Sequence, residues 1–160
     1  MNKNPDIILR KTEVSDLDIL FKFQLDEEAC SLAAFMPNDH TNKIAYISKY
    51  TRFLNDPSIN NQTILVDNTI VGSIAKFTME GKVEITYWID RKYWGQGIAT
   101  KALSEFLDQV KERPVYARVA FDNIGSQRVL INCGFTKIGS NKGYANARES
   151  IIEEFIYKID

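Results

Sequence analysis

Gly95 and Gly97 stand between an apolar, strand-like run, VEITYWI, and a helix-like run, KALSEFLDQV, with Ala99 and Thr100 on the first turn of that helix. This is the composition of a phosphate seat. The first N–H groups of a helix lack intrahelical acceptors, and the aligned peptide dipoles place about +0.5 of an elementary charge there, so an anion is stabilised. Residues without bulk are needed at that point because a Cβ would hold a pyrophosphate away from the N–H groups. On the strand, Glu84 alternates with Val83, Ile85 and Tyr87 and shares a face with Trp88. A carboxylate so placed is either a proton acceptor or a solvated or salt-bridged strand residue.

Several kinds of corner share a glycine turn before a helix. The dinucleotide fingerprint GxGxxG would use Gly95 and Gly97, but Thr100 stands at its third glycine and the strand ends well before the first. Asp122 lies at a spacing suited to a ribose carboxylate, which keeps an NAD-binding oxidoreductase as an alternative. A P-loop is excluded, since no Gly-Lys-Ser/Thr follows. A purely structural strand-turn-helix corner tolerates most of the same residues.

The elements that must position this corner follow from periodicity. Residues 7–10 read as a strand, and Ser15 is the expected N-cap of a helix with the stripe Leu17, Leu20, Phe21, Phe23 and Leu25, ending near Asp26. The next stretch, EEACSLAAFMPNDHTN, reads as a connection between helices and a rim for a binding pocket, with Phe35 and Met36 as substrate contacts or plain core. A helix begins near Thr41, carries Ile44, Ile47, Tyr50 or Thr51, then Phe53 and Leu54, and stops at Asp56-Pro57. Residues 63–66, 69–79 and 82–89 form an antiparallel meander in which Gly72 marks a bulge or a close contact. The helix after the glycines presents Ile98, Ala102, Leu103, Phe106, Leu107 and Val110 on one stripe. A strand, VYARVAF, then leads to a short helix with Val129, Leu130 and Cys133, ended by Gly134. Residues 136–140 and 151–159 read as strands around a polar loop, SNKGYANARE.

With 160 residues the expectation is a single domain, residues 1–160, able to bury roughly two-thirds of its unfolded surface. A net charge of −1 offers no broad attraction for nucleic acid, so any anion site is local. No apolar run is long enough to span a membrane, and MNKNPDIILRK lacks a secretory h-region, which makes the cytoplasm the expected compartment. Cys30 and Cys133 are far apart and outside any CxxC pair, so neither a metal site nor a disulfide framework is expected. His40, the single histidine, lies in the polar segment PNDHTN with no nucleophile elbow in the chain, which argues against a Ser/His or Cys/His hydrolase.

A second cluster chooses among the corners. The chain resembles the GNAT superfamily of acetyl-CoA-dependent N-acetyltransferases, and within it the RimJ/RimL-type branch. The register of the family loop, Arg/Gln-x-x-Gly-x-Gly/Ala, falls on Trp94-Gly95-Gln96-Gly97-Ile98-Ala99, with Trp in the Arg/Gln place as in the branch's wording YWGxGxAT; downstream, Asn123, Ser126, Val129-Leu130 and Gly134-Phe135 match the branch's Asn-x-x-Ser, apolar pair and Gly-Phe. The resemblance spans the chain in element order and is specific over residues 83–135. It implies the GNAT fold, an α/β (α+β) architecture with a mixed, mostly antiparallel central sheet of six to seven strands flanked by about four helices.

The same resemblance implies acetyl-CoA as co-substrate, no metal, and acetyl transfer to an amine acceptor, with a homodimer left open. Trp88 and Ile89 would offer backbone groups to the pantetheine arm, residues 96–100 including Thr100 would hold the pyrophosphate, and Asn123 would bond the pantetheine amides. Arg128 and the Arg91-Lys92 pair are candidates for the adenosine-end phosphates. Glu84 would take a proton from the acceptor ammonium, directly or through water. The family's usual acid, a Tyr seven residues after the Asn, is Leu130 here, and Ser126 becomes the candidate. A non-catalytic acyl-CoA-binding module is the alternative that this departure supports. The acceptor pocket is expected between the first two helices, their loop and the polar loop at 140–149.

Overall fold

A computed structural model of the protein describes residues 6–160. Its centre is one seven-stranded sheet, built from β1 (Ile7–Lys11), β2 (Asn60–Val66), β3 (Thr69–Met79), β4 (Lys82–Ile89), β5 (Val115–Ala120), β6 (Thr136–Ala145) and β7 (Ser150–Ile159) in the order β1-β2-β3-β4-β5-β7-β6. Every neighbouring pair is antiparallel except β4 and β5. The mixed, mostly antiparallel sheet and the central meander are as the sequence predicts.

Among the described residues five α-helices flank it: α1 (Leu17–Phe23), α2 (Glu27–Ala33), α3 (Lys43–Leu54), α4 (Ile98–Gln109) and α5 (Ile124–Asn132). The helix beyond the expected four is α2, inside the stretch read as a connection. Asp26 caps it, accepting from the N–H groups of Glu28 at 3.0 Å and Ala29 at 3.4 Å, with Glu27 and Glu28 favourable in its first turn. Ser15 is not an N-cap but sits in a 3-10 turn, Val14–Asp16, ahead of α1. The polar loop is also shorter than expected. β6 runs on to Ala145, and residues 146–149 alone make the turn into β7.

The main core lies under α4, whose Ile98, Ala102, Leu103, Phe106 and Leu107 pack with Ile64, Ile74, Ile85 and Val115 of the sheet. On the other side a polar knot fixes the chain's beginning. Asp16, buried, accepts from Arg10 Nη1 at 2.7 Å, the Glu13 N–H at 2.8 Å and the Thr63 hydroxyl at 3.1 Å. Burial alone would raise the Asp16 pKa, but these donors outweigh it and hold the carboxyl below its ordinary value. A depressed folded-state pKa gives stability that is present above the unfolded value of about 3.9 and is lost as pH falls through the folded value. We therefore expect Asp16→Asn to cost about 2–4 kcal/mol at pH 7, and the gap to the unsubstituted protein to shrink below about pH 4. Denaturant melts at both pH values check this.

Candidate active site

The site begins where β4 and β5 part. They pair in parallel only at Val83↔Val115 and Glu84↔Tyr116, although β4 continues through Ile89 and β5 through Ala120. The facing edges of residues 85–89 and 117–120 therefore diverge, and a cleft of about 630 Å³ lies beside Tyr87, Trp88 and Ile89 at the free end of β4. On its other edge β4 is held tightly to β3. At Gly72, opposite Ile89, a Cβ would come within 2.1 Å of the Trp88 carbonyl oxygen, so only glycine lets the strands approach so closely. The β2–β3 register also shifts between Ile64 and Leu65, beside Gly72, so the bulge and the close contact occur together.

The loop after β4 reaches α4 through two left-handed glycines, Gly95 (φ 77°) and Gly97 (φ 76°). Gly97 is the N-cap, and the first intrahelical bond is Lys101 N–H to Gly97 O at 3.1 Å. The N–H groups of Ile98, Ala99 and Thr100 precede that bond and have no intrahelical acceptor. A Cβ built on Gly95 or Gly97 meets nothing within 4 Å, so the space before these N–H groups is open. That is the geometry of an anion seat.

Most of the predicted contact residues come together on the cleft wall. Trp88 and Ile89 enter from β4, Trp94, Gly95, Gly97, Ile98, Ala99 and Thr100 from the loop and α4, and Ser126 and Arg128 from α5 with its N-cap Asn123. Gln96 does not line it; its amide turns back to donate to the Lys92 carbonyl at 3.4 Å. The Ile89 carbonyl already accepts from the Trp94 indole at 2.9 Å, which pins the loop to the strand end. Arg91 is also engaged, in ion pairs with Asp26 at 2.6 Å and with Glu28, and so ties the loop to the start of α2. Asp122, the ribose candidate, is held by Arg148 at 2.7 Å. The Asn123 side chain caps α5 by accepting from Ser126 N–H at 3.3 Å and donates to Leu32 O of α2 at 3.4 Å.

A second cavity of about 770 Å³ lies across α2 and contains Phe35, Met36 and Glu84. Its walls are Tyr46 and Tyr50 of α3, Phe77 and Met79 of β3, and the segment around His40. The loop at 146–149 does not line it. Asn146 donates to Met36 O at 2.7 Å and Arg148 to Ser31 O at 2.6 Å, so this loop braces the pocket segment from behind. Glu84 is buried and bridged by Arg118 Nε at 3.3 Å, and Arg118 Nη1 also meets Glu154 at 3.5 Å. The sequence reading missed Arg118 and Glu154. The alternation in VYARVA and SIIEEFIYKI carries the signal, but only the registers Glu84↔Tyr116 and Ala120↔Glu154 together show that both share a face with Glu84.

The two cavities share Ala33, Tyr87, Trp88, Asn123 and Ser126. At this meeting point Tyr87 Oη and Ser126 Oγ lie 2.7 Å apart. Burial pushes the Tyr87 hydroxyl up to about 12, against a smaller opposite effect of the Ser126 bond, so near neutral pH the pair carries both its protons. The Trp88 indole N–H, also at the meeting point, is buried with no hydrogen-bond partner among the described residues. A buried donor of this kind is the complement of a ligand carbonyl. Leu130 is fully buried in the core and does not line the cleft. Among the described residues no group of three or more His, Cys, Asp or Glu is placed to hold a metal ion. No helix there is long and apolar enough to cross a membrane.

Comparison with known proteins bears on the same region. A family profile described as "Acetyltransferase (GNAT) domain" matches residues 6–136. The protein named "Uncharacterized N-acetyltransferase p20" from Bacillus licheniformis is 25% identical over 167 residues, covering 96% of this chain and 92% of that one. Among solved structures, RimJ from Mycobacterium smegmatis, in complex with CoA-disulfide, superposes with a TM-score of 0.78 at 22% identity, over 96% of this chain and 81% of its own. Spermidine N-acetyltransferase from Vibrio cholerae, in complex with CoA and spermine, gives 0.81 at 17% identity, over 96% and 94%. At these identities the likeness to solved structures is one of fold.

Proposed function

The chain belongs to the acetyltransferase (GNAT) family, and from that premise we propose that it moves the acetyl group of acetyl-CoA directly to a primary amine, a protein N-terminus or a small-molecule amine, with no covalent enzyme intermediate. The observation that carries this reading is the junction of two cavities at Tyr87, Trp88, Asn123 and Ser126. One cavity is an extended cleft ending at helix N–H groups and open glycines, which fits a pantetheine arm with a pyrophosphate. The other is an aromatic pocket with a carboxylate cluster, which fits an ammonium. Residues 1–160 act as one unit in this reading.

The open edge of β4 near Trp88 receives the amides of the arm like an added strand. The N–H groups of Ile98, Ala99 and Thr100 take the pyrophosphate, with the Thr100 hydroxyl beside them, and the exposed Arg128 guanidinium faces the outer phosphate. Acetyl-CoA supplies an activated acyl group on a thiol leaving group. The carboxylate cluster containing Glu84 removes a proton from the acceptor ammonium, through water in the case of the closed Glu84 side chain. In this reading Ser126, in hydrogen-bond contact with Tyr87, gives a proton to the departing sulfur. A cytoplasmic setting, in which the thiols of Cys30 and Cys133 stay reduced, is part of this reading.

Of the two alternatives, an NAD oxidoreductase loses its ribose carboxylate, because Asp122 is committed to Arg148. Titration calorimetry tests the assignment: acetyl-CoA and CoA are expected to bind and NAD to release no heat. NAD binding without CoA binding would overturn it.

A further inference from the structure

We propose that Glu154 is a catalytic residue, the carboxylate that meets the acceptor ammonium and takes its proton, with Glu84 acting behind it as a positioning residue. This rests on the acetyltransferase reading and sharpens which member of the carboxylate cluster does the chemistry.

The argument is one of level and access. Glu84 pairs with Tyr116, the last rung at which β4 and β5 are joined, and Trp88 stands four residues further along β4, about 13 Å at the usual rise of a strand. The junction of the cavities is therefore well above Glu84. Ala120 is four residues along β5 from Tyr116, and Glu154 is paired with Ala120. Glu154 thus lies beyond the Glu84 rung, toward the end of the sheet that carries Trp88, and beside the start of α5, where Asn123 N–H bonds Ala120 O at 3.0 Å. Access follows the same order. The Glu84 side chain is 4% exposed, whereas that of Glu154 is 20% exposed and lines the acceptor pocket.

Arg118 binds both carboxylates, so three charged side chains leave a net charge of −1 on one sheet face. Across the pocket stand Asp39, His40 and, from α3, Lys49, whose ammonium lies 5.9 Å from the Tyr50 ring. The group is therefore suited to one added cation or one added proton. Burial raises the proton affinity of Glu154 above that of an ordinary glutamate; Arg118 opposes this, and the charge of Glu84 adds to it. A base is most effective when its pKa approaches the working pH, and Glu154 is displaced in that direction.

The step balances as follows. One N–H proton passes from the ammonium to a Glu154 oxygen, the freed nitrogen pair bonds the acetyl carbon, and the C–S bond breaks with its electron pair on sulfur. The second nitrogen proton ends on the sulfur as free thiol, and Glu154 returns its proton to water.

The experiment measures kcat/KM against pH for Glu154→Gln, Glu154→Asp and Glu84→Gln, using whichever of an alkyl diamine, phenylalanine amide or a decapeptide with a free N-terminus turns over fastest. Acetyl-CoA affinity of each variant is the control. Glu154→Gln is expected to lose about 100-fold or more at pH 7 together with the acidic limb of the profile. Glu154→Asp should restore part of the rate, and Glu84→Gln should move the acidic limb to lower pH. Unchanged kcat/KM and limb in Glu154→Gln, with acetyl-CoA still bound, would overturn the role of Glu154 and leave the acetyltransferase reading standing; failure of the unsubstituted protein to bind acetyl-CoA would sink that reading instead. NMR titration of the Glu154 carboxyl, assigned by its disappearance in Glu154→Gln, needs no acceptor. An inflection above the ordinary glutamate range supports the proposal, and one at or below it overturns the proposal.

Discussion

Gly97→Trp is expected to weaken acetyl-CoA binding by at least about 100-fold, a change of ~2.7 kcal/mol. Two effects add. Gly97 has φ 76°, a left-handed conformation that costs a residue with a side chain roughly 1–2 kcal/mol, so the turn that aims the α4 N–H groups is itself disturbed. The indole would also project into the space in which a Cβ finds no neighbour within 4 Å, the space assigned to the pyrophosphate. Gly97→Ala separates the two, because it carries the backbone cost with little of the bulk, and should weaken binding by about tenfold or less. Calorimetry on both variants is the measurement. Tryptophan at this position with undiminished affinity would remove the phosphate seat from the account.

The second large effect is expected at Gly72. Gly72→Ala would place a methyl group 2.1 Å from the Trp88 carbonyl oxygen and 3.1 Å from Ile89 Cα, both backbone atoms of β4. Neither can turn aside as a side-chain tip would, so β3 and β4 must separate at the end that carries the site. We expect a loss of about 3 kcal/mol or more, an overpacking cost at the upper end of the usual range, with the melting temperature lowered by about 6–12 °C. Because Trp88 stands at the junction of the two cavities, acetyl-CoA affinity should fall as well. A stable Gly72→Ala protein with normal affinity would mean that the β3–β4 approach has no part in shaping the cleft.

Much of this was legible in the chain because the signals are local. A glycine turn, a helical stripe and an alternating strand each lie within a window of a dozen residues, so the phosphate corner, the meander and α4 could be read directly. The helix α2 was missed although its cap, Asp26, and its acidic first turn were present; seven residues beside Pro37 give too short a period to stand out. What the sequence could not show was which residues become neighbours across the sheet. Glu84, Arg118 and Glu154 lie on three strands far apart in the chain, and their contact depends on the order β4-β5-β7 and on the register Ala120↔Glu154. The splay between β4 and β5 is likewise a property of pairing, and no residue type announces where two strands stop bonding. Arg91 makes the same point from the other direction. A basic residue next to a phosphate corner invites assignment to the phosphate, but the fold brings Asp26 and Glu28 to it first.

The most direct test of the account follows both products of one incubation. The protein, acetyl-CoA and a set of primary amines are mixed, free thiol is titrated, and acetylated amine is quantified by mass spectrometry alongside the intact protein. The account predicts one thiol per acetylated amine, no acetyl group on the protein at any time, and loss of both products in Gly97→Trp. Tight binding of acetyl-CoA with neither thiol nor acetamide formed across the amines would contradict it and leave a protein that holds acyl-CoA without using it.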